Sequence, residues 1–251
     1  MDNEEKLELA KDPKTSVKIL EKLAKEDDSY IRWHVARNPK TPVKTLAKFA
    51  KDEDWDIRYA VASNPKTPAK ALVKFAKDED WSIRLALARN PNTPVKTLAK
   101  FAKDTDSGIR FGVASNPNTP VSALEILAKD THVYVRWDVA RNPSASASIL
   151  ETLANDESTL VHVGVARNPN APVHVLEELA KSDDIDVRSS VDANPKVTIG
   201  ILKAIANSKS PHVWLKTESG DDQVLVRIVA DRKSPIGIRY ESVEIPERSD
   251  V

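Results

Sequence analysis

Apolar positions in this chain recur with two periods at once. Over short distances they fall three and four residues apart, the spacing that lines one face of a helix. Over long distances the whole pattern returns every 26 residues. Prolines stand at 13, 39, 65, 91, 117, 143, 169 and 195, and leucines at 20, 46, 72, 98, 124, 150, 176 and 202. An alanine follows four residues after each of those leucines, from Ala24 to Ala206. Seven of the eight prolines follow an asparagine, and the first follows Asp12. Such register identifies internal repeats before any element is assigned.

One repeat predicts two helices. The stretch "TPVKTLAKFAK" from Thr41 to Lys51 reads as helix A, with Thr41 as N-cap and Pro42 in the first helical position. Val43, Leu46, Phe49 and Ala50 share its apolar face, and Lys44, Lys48 and Lys51 the opposite one. In "DEDWDIRYAVAS" Asp54 is placed to cap a second helix, B, as are Asp28, Asp80, Asp106, Ser158 and Asp184 in the same column. Ile57 and Val61 form its inward stripe. Helix B must stop at Asn-Pro, because the residue before proline is driven out of the helical region. The asparagine side chain can bond the backbone just beyond it and fold the link into a tight turn.

Two such short helices cannot bury enough surface alone, whereas stacked copies close each other's apolar faces. The expected fold is therefore all-α: an alpha-alpha superhelix of about seven to eight two-helix repeats over residues 1–207. Residues 208–251 then form a degenerate capping repeat and tail. Val224, Leu225, Ile228 and Val229 suit a helix starting near Asp221, with a strand in "QVLVRIV" as the alternative. "IGIRYESVEIPERSDV" reads as strand-like or loosely ordered, and "MDNEEKLELA" as a polar helix closing the other end.

The string D-x-x-x-x-[VI]-R-x-x-V-A-x-N-P-x-T-P-x-x-x-L-x-x-[LF]-A, carried from about residue 12 to 207, resembles the leucine-rich-repeat variant family, helical relatives of armadillo and HEAT solenoids. The resemblance implies a right-handed superhelix in which one helix per repeat is short or of the tighter kind. It implies no defined activity. The 26-residue unit is longer than is typical there. The cysteine-rich cluster of some members is missing, which removes an iron–sulfur role.

Composition narrows the function classes. The 251 residues carry 38 basic and 38 acidic side chains, so no whole-molecule field draws the chain to nucleic acid or an anionic membrane. With no cysteine, disulfides, thiolate metal sites and a cysteine nucleophile are excluded. The first thirty residues lack an apolar signal core, and no window approaches the roughly 18 apolar residues of a membrane span. A soluble cytoplasmic protein without a membrane partner is the expectation. His34, His132, His162, His174 and His212 are scattered, and the six glycines form no phosphate loop. No enzyme, cofactor or metal is expected, catalysis on a helical-repeat fold being a third reading.

Three columns could carry function. Arg32, Arg58, Arg84, Arg110, Arg136 and Arg188, with His162 in the sixth copy, follow the apolar residue of helix B. They read as a structural ladder with neighbouring acids or as a phosphate-binding row. Twelve lysines, at 18, 22, 25, 44, 48, 51, 70, 74, 77, 96, 100 and 103, line the outer face of helix A in the first four repeats. They read as a solvated face or a nucleic-acid track. The remaining surface of helix B varies between copies: Trp33, Tyr59, Leu85, Phe111 and Trp137 in one column, Arg37, Ser63, Arg89, Ser115, Arg141 and Arg167 a turn on. Small residues, Ala60, Ala86, Gly112 and Gly164, lie between them as a floor. Aromatic and arginine side chains over small ones are what binding hot spots favour. The expected function is a non-catalytic scaffold binding a protein or peptide through Trp33, Arg37, Tyr59, Arg89, Phe111, Trp137, Arg141 and Arg167. The alternative is phosphate-backbone binding to nucleic acid by the lysine or arginine row. Trp55 and Trp81 read as packing between repeats.

Overall fold

Asn-Pro steps cut the chain into short helices. The structure, a computed structural model, describes residues 1–207, 211–216, 223–231, 234 and 238–242. It divides into two units, Met1–Ile126 and Leu127–Val251. Its helices repeat in the two-helix rhythm of the sequence, and a small sheet lies near the C-terminus.

In the first unit the B helices are α1 (Asn3–Lys11), α3 (Ser29–Arg37), α5 (Trp55–Ser63), α7 (Trp81–Arg89) and α9 (Ser107–Ser115). Among them run the A helices α2 (Val17–Leu23), α4 (Val43–Phe49), α6 (Ala69–Leu72, continued by a 3₁₀ turn over Val73–Lys77) and α8 (Val95–Phe101), with α10 (Val121–Leu127) after α9. Each B helix packs on the next, α1 on α3, α3 on α5, α5 on α7 and α7 on α9. The expected polar helix at the start is α1, closed by a capping box between Asp2 and Glu5. Asp28, Asp54, Asp80 and Asp106 cap the later B helices, each accepting the amide two residues on at 2.7 to 2.9 Å. Leu20, Leu46, Leu72 and Leu98 are wholly buried between the layers, with Ile31, Ile57, Ile83 and Ile109 facing them from the B helices.

The A helices start later than the sequence predicts. Pro42, with ψ of 142°, is the N-cap of α4 rather than its first residue. Thr41 therefore cannot cap α4. Its buried hydroxyl instead donates to the Val35 carbonyl in the last turn of α3, one of the acceptors a helix end leaves without an intrahelical partner. Thr67 and Thr119 bond Val61 and Val113 in the same way, both at 2.6 Å. The shorter helix also turns its faces. Val43 is 50% exposed, and Thr45 takes an inward place at 6%.

Successive repeats are joined through the asparagine that ends each B helix. The Asn90 side-chain amide donates to the carbonyls of Ala62 and Asn64 in the preceding repeat, at 2.7 and 3.0 Å. Its oxygen accepts the Asn92 amide at 2.9 Å, the tight turn expected beyond Asn-Pro. Asn38, Asn64 and Asn116 bond the last turn of the previous B helix similarly, at 2.7 to 2.9 Å. In the second unit Asn168 and Asn194 do so to Ala140 and Ala166, at 2.7 and 2.6 Å.

The second unit contains B helices α11 (Val133–Arg141), α13 (Thr159–Arg167) and α15 (Ile185–Asp192), and A helices α12 (Ala147–Leu153), α14 (Val173–Leu179) and α16 (Ile199–Ala206). Three antiparallel strands follow, β1 (His212–Lys216), β2 (Gln223–Ala230) and β3 (Ile238–Ser242), in the order β1-β2-β3. Val213 pairs with Val226 and Ala230 with Ile238. The segment expected as a helix from about Asp221 is thus the central strand. Its run of Val224, Val226, Ile228 and Val229 is β-branched and favours a pleated surface over a helix. Val213, Val226, Ile228 and Ile238 are buried where β1 packs on α15 and β2 and β3 on α16. The sheet therefore covers the last apolar face of the repeats. The far end of the tail, 243–251, lies outside the described residues.

Close helix approach depends on small side chains. A Cβ built on Gly164 of α13 would lie 2.9 Å from the Ala140 Cβ and 3.2 Å from the Trp137 carbonyl of α11. Gly164→Ala is expected to destabilise the protein by about 1–3 kcal/mol in urea unfolding, although alanine is the better helix former by about 1 kcal/mol. Asn90→Ala strands two buried carbonyls and should cost about 3 kcal/mol. Asn90→Asp, which keeps the shape but lacks the donor, should lose at least as much.

Candidate functional site

The arginine column is structural. Arg32 bonds Asp52 of the next repeat through Nε and NH2, each at 3.1 Å, while its NH1 donates to the Glu26 and Asp27 carbonyls at 2.9 and 2.8 Å. Arg58 with Asp78 repeats this at 2.9 and 3.4 Å, and Arg136 with Asp156 at 2.6 and 3.0 Å. Arg84 and Arg110 make the same pair of carbonyl bonds. Hydrogen bonding to these carboxylates holds the Arg32, Arg58 and Arg136 guanidiniums above their ordinary value, against the opposing effect of burial. Arg188 is 1% exposed, donates to the carbonyls of Ser182 and His212, and is lowered by burial. These side chains thus serve the joints between repeats, and Arg32 also lines a groove on the helix-A side.

Helix A differs. All twelve of its lysines are exposed, and among the described residues none forms an ion pair with a carboxylate. Two triplets, Lys18, Lys22 and Lys25 of repeat one and Lys44, Lys48 and Lys51 of repeat two, line a groove of about 590 Å³ together with Glu21 and Asp52.

On the B-helix side of the first unit two clefts adjoin. The larger, of about 590 Å³, lies between α3 and α5 and is lined by Trp33, Arg37, Tyr59, Ala60, Ser63, Lys66 and the Asn-Pro turns. The smaller, of about 310 Å³, lies between α5 and α7 and is lined by Tyr59, Ser63, Trp81, Ser82, Leu85, Ala86 and Arg89 with Asn90 and Pro91. Tyr59, 42% exposed, is the wall they share. Helical spacing sets these positions: Trp33 and Arg37 are four residues apart and so stack on one face. The Arg37 guanidinium lies 4.5 Å above the Trp33 ring, which Tyr30 stacks against at 5.8 Å and His34 meets edge-on at 4.6 Å. Burial, assisted by Lys11 and Arg37, lowers the His34 imidazole below its ordinary value. Arg89 lies 5.5 Å over Phe111 of the next repeat.

The structure thus gathers Trp33, Arg37, Tyr59 and Arg89 around two connected clefts, with Phe111 beneath Arg89. Trp137, Arg141 and Arg167 belong to the second unit. There Arg141 covers Trp137 at 4.5 Å, and Arg167 donates through Nε to the Ser190 hydroxyl at 3.1 Å. Two readings of the sequence change. The small column is less a floor than a seam: a Cβ on Gly112 would come within 2.8 Å of Leu85 and 3.1 Å of Ala88 on α7. Trp55 and Trp81, expected between repeats, are 50% and 55% exposed, and Trp81 lines the smaller cleft. Their register held the signal, because the same position is Ser29 and Ser107 in other copies.

Regular A and B helices, asparagine-linked turns and a buried leucine column define a fold of stacked two-helix repeats. No family model and no curated protein matches the chain. Among solved structures it is similar to one described as a leucine-rich repeat variant with a novel repetitive protein structural motif, with 26% identity, a TM-score of 0.51 and coverage of 72% of each chain. Another, of computationally designed armadillo repeat proteins for modular peptide recognition, is 12% identical with a TM-score of 0.24, covering 81% of this chain and 94% of that one; at that distance no site transfers. Among the described residues no helix is long and apolar enough to cross a membrane.

The Arg136–Asp156 joint sets a pH dependence. Burial by itself would raise the Asp156 carboxyl, but hydrogen bonds from Arg136 and the Ser158 amide hold it below its ordinary value. A depressed carboxylate contributes stability that is complete above its unfolded value and is lost as pH falls through the folded one. Asp156→Asn should therefore cost about 3 kcal/mol at neutral pH. Urea titrations should show that difference shrinking below about pH 4.

Proposed function

We propose that this chain is a non-catalytic repeat scaffold that binds a protein or peptide on its B-helix surface. Trp33, Arg37, Tyr59, Arg89, Phe111, Trp137, Arg141 and Arg167 are its contact residues, and Trp81 joins them. The observation that carries this reading is the pair of clefts divided by Tyr59, at about 590 and 310 Å³. Cavities of about 300–1,000 Å³ accept ligand-sized groups, so each cleft here can take a separate side chain. Tryptophan, tyrosine and arginine are the residues through which partners gain most affinity. Stacking Arg37 on Trp33 and Arg89 on Phe111 orders the guanidiniums beforehand and lowers the entropic cost of binding. Neither cleft is lined by a carboxylate or an imidazole, the groups that general acid–base chemistry most often uses.

The lysine-lined groove between α2 and α4 favours a second reading, backbone binding to nucleic acid, which must weaken steeply as salt rises. Retention on a DNA or RNA column at low salt tests it, and no retention ends it.

For the first reading, the double variant Trp33→Ala/Tyr59→Ala should keep the helical circular dichroism of the parent, since Tyr59 is exposed and Trp33 only half-buried. In affinity capture it should lose the parent's partner. Measured on that partner, each truncation is expected to cost about 2 kcal/mol of binding. An identical set of captured proteins would remove the clefts from consideration.

A further inference from the structure

The two clefts share a charge signature. Arg37 and Lys66 line the larger and Arg89 the smaller, and no Asp or Glu lines either. The chain as a whole has as many acids as bases, so this local excess of positive charge is a matter of placement. Of the nearby acids, Asp52 and Asp78 bond Arg32 and Arg58, Asp54 and Asp80 cap α5 and α7, and Asp56 lines a separate small pocket beside Trp33. Arg37 and Arg89 lie against Trp33 and Phe111. Among the described residues neither has a carboxylate partner. The Lys66 ammonium is held by the Pro39 carbonyl, so its charge is fixed at the cleft rim.

We propose, resting on the reading of these clefts as a binding site, that the partner is an acidic segment in extended conformation. One apolar side chain seats in the larger cleft, and two carboxylates flank it to meet Arg37 and Arg89. An extended segment suits the site because Tyr59 stands between the clefts: side chains pointing one way can enter on either side of it, whereas the cylinder of a helix would have to ride over it. The spacing follows from the scaffold. Arg37 on α3 and Arg89 on α7 are two helix steps apart, about 16–20 Å at ordinary interhelical distances. That span is about five or six residues of extended chain.

Short fluorescein-labelled peptides test this by anisotropy. The probe set has a tryptophan between two aspartates five or six positions apart. Its controls have both aspartates changed to asparagine, both changed to lysine, or the tryptophan changed to serine. The acidic peptide is expected to bind the parent about tenfold tighter than its amide counterpart, as two exposed ion pairs allow. Arg37→Gln/Arg89→Gln and Arg37→Glu/Arg89→Glu should both abolish that preference, the second reversing it toward the lysine peptide. Lys44→Glu/Lys48→Glu, on the A-helix face, should leave it intact. Equal binding of acidic and amide peptides overturns the acidic requirement while leaving the clefts as a binding site. Equal sensitivity to Lys44→Glu/Lys48→Glu, or displacement by a single-stranded oligonucleotide that needs Arg37 and Arg89, overturns it in favour of general polyanion attraction. If no tryptophan-bearing peptide of any charge binds, the cleft reading falls together with this one.

Discussion

The buried side-chain amide of the asparagine that ends each B helix joins one repeat to the next, and the other features of the structure depend on that joint. A helix of nine residues leaves about four of its carbonyls, close to half, without intrahelical partners, so short helices need help from outside. Asn64 supplies it to Ala36, Asn90 to Ala62 and Asn116 to Ala88. The same side chain accepts an amide of its own turn, so a single residue orients the turn and fixes its distance from the previous repeat. Proline after it ensures that the chain leaves the helix where the amide is needed. The 26-residue period is the consequence: each link reaches 28 residues back to a helix end and, from Asn90 and Asn116, 26 residues back to the preceding asparagine.

Once the joints are in place, the charges separate by role. Arginine, planar and able to make several directed bonds at once, occupies the half-buried position between repeats. There Arg58 bridges two loop carbonyls and the next repeat's Asp78. Lysine occupies the solvated face of helix A, where its ammonium makes no such bonds. In the loops beside those lysines, Asp52 and Asp78 are engaged with arginines, and Asp54 and Asp80 cap helices.

The B-helix surface has its relief for a related reason. Ala60, Ala86 and Gly112 let neighbouring B helices approach, with Leu85 reaching across onto Gly112, while Tyr59, one position before Ala60, is 42% exposed. Clefts open beside Tyr59, with Ala60 and Ala86 among their lining residues. Variation in one column of an otherwise copied unit therefore becomes a difference in relief, with adjoining clefts of about 590 and 310 Å³.

Periodicity made the repeats, the aspartate caps of the B helices, the leucine core and the Asn-Pro turns legible in the sequence, because each follows from interactions within one unit or its exact copy. The aromatic and arginine columns were legible as candidates for the same reason: residues that differ between copies stand out. The outward turn of Val43, the back-bonding of Thr41 and the exposure of Trp81 were not, since they depend on where a short helix begins and how it rotates against its neighbour. Of the C-terminal sheet, the strand-like tail that holds β3 was legible, and the strand in "QVLVRIV" only as the alternative to a helix. "QVLVRIV" pairs as a central strand because flanking strands and the last two helices are there to meet it. The sequence by itself determined what each repeat is made of and how often it recurs. Only the tertiary structure decided which charges neutralise each other and which aromatic residues share a cleft, because those outcomes depend on contacts between repeats that a linear pattern does not contain.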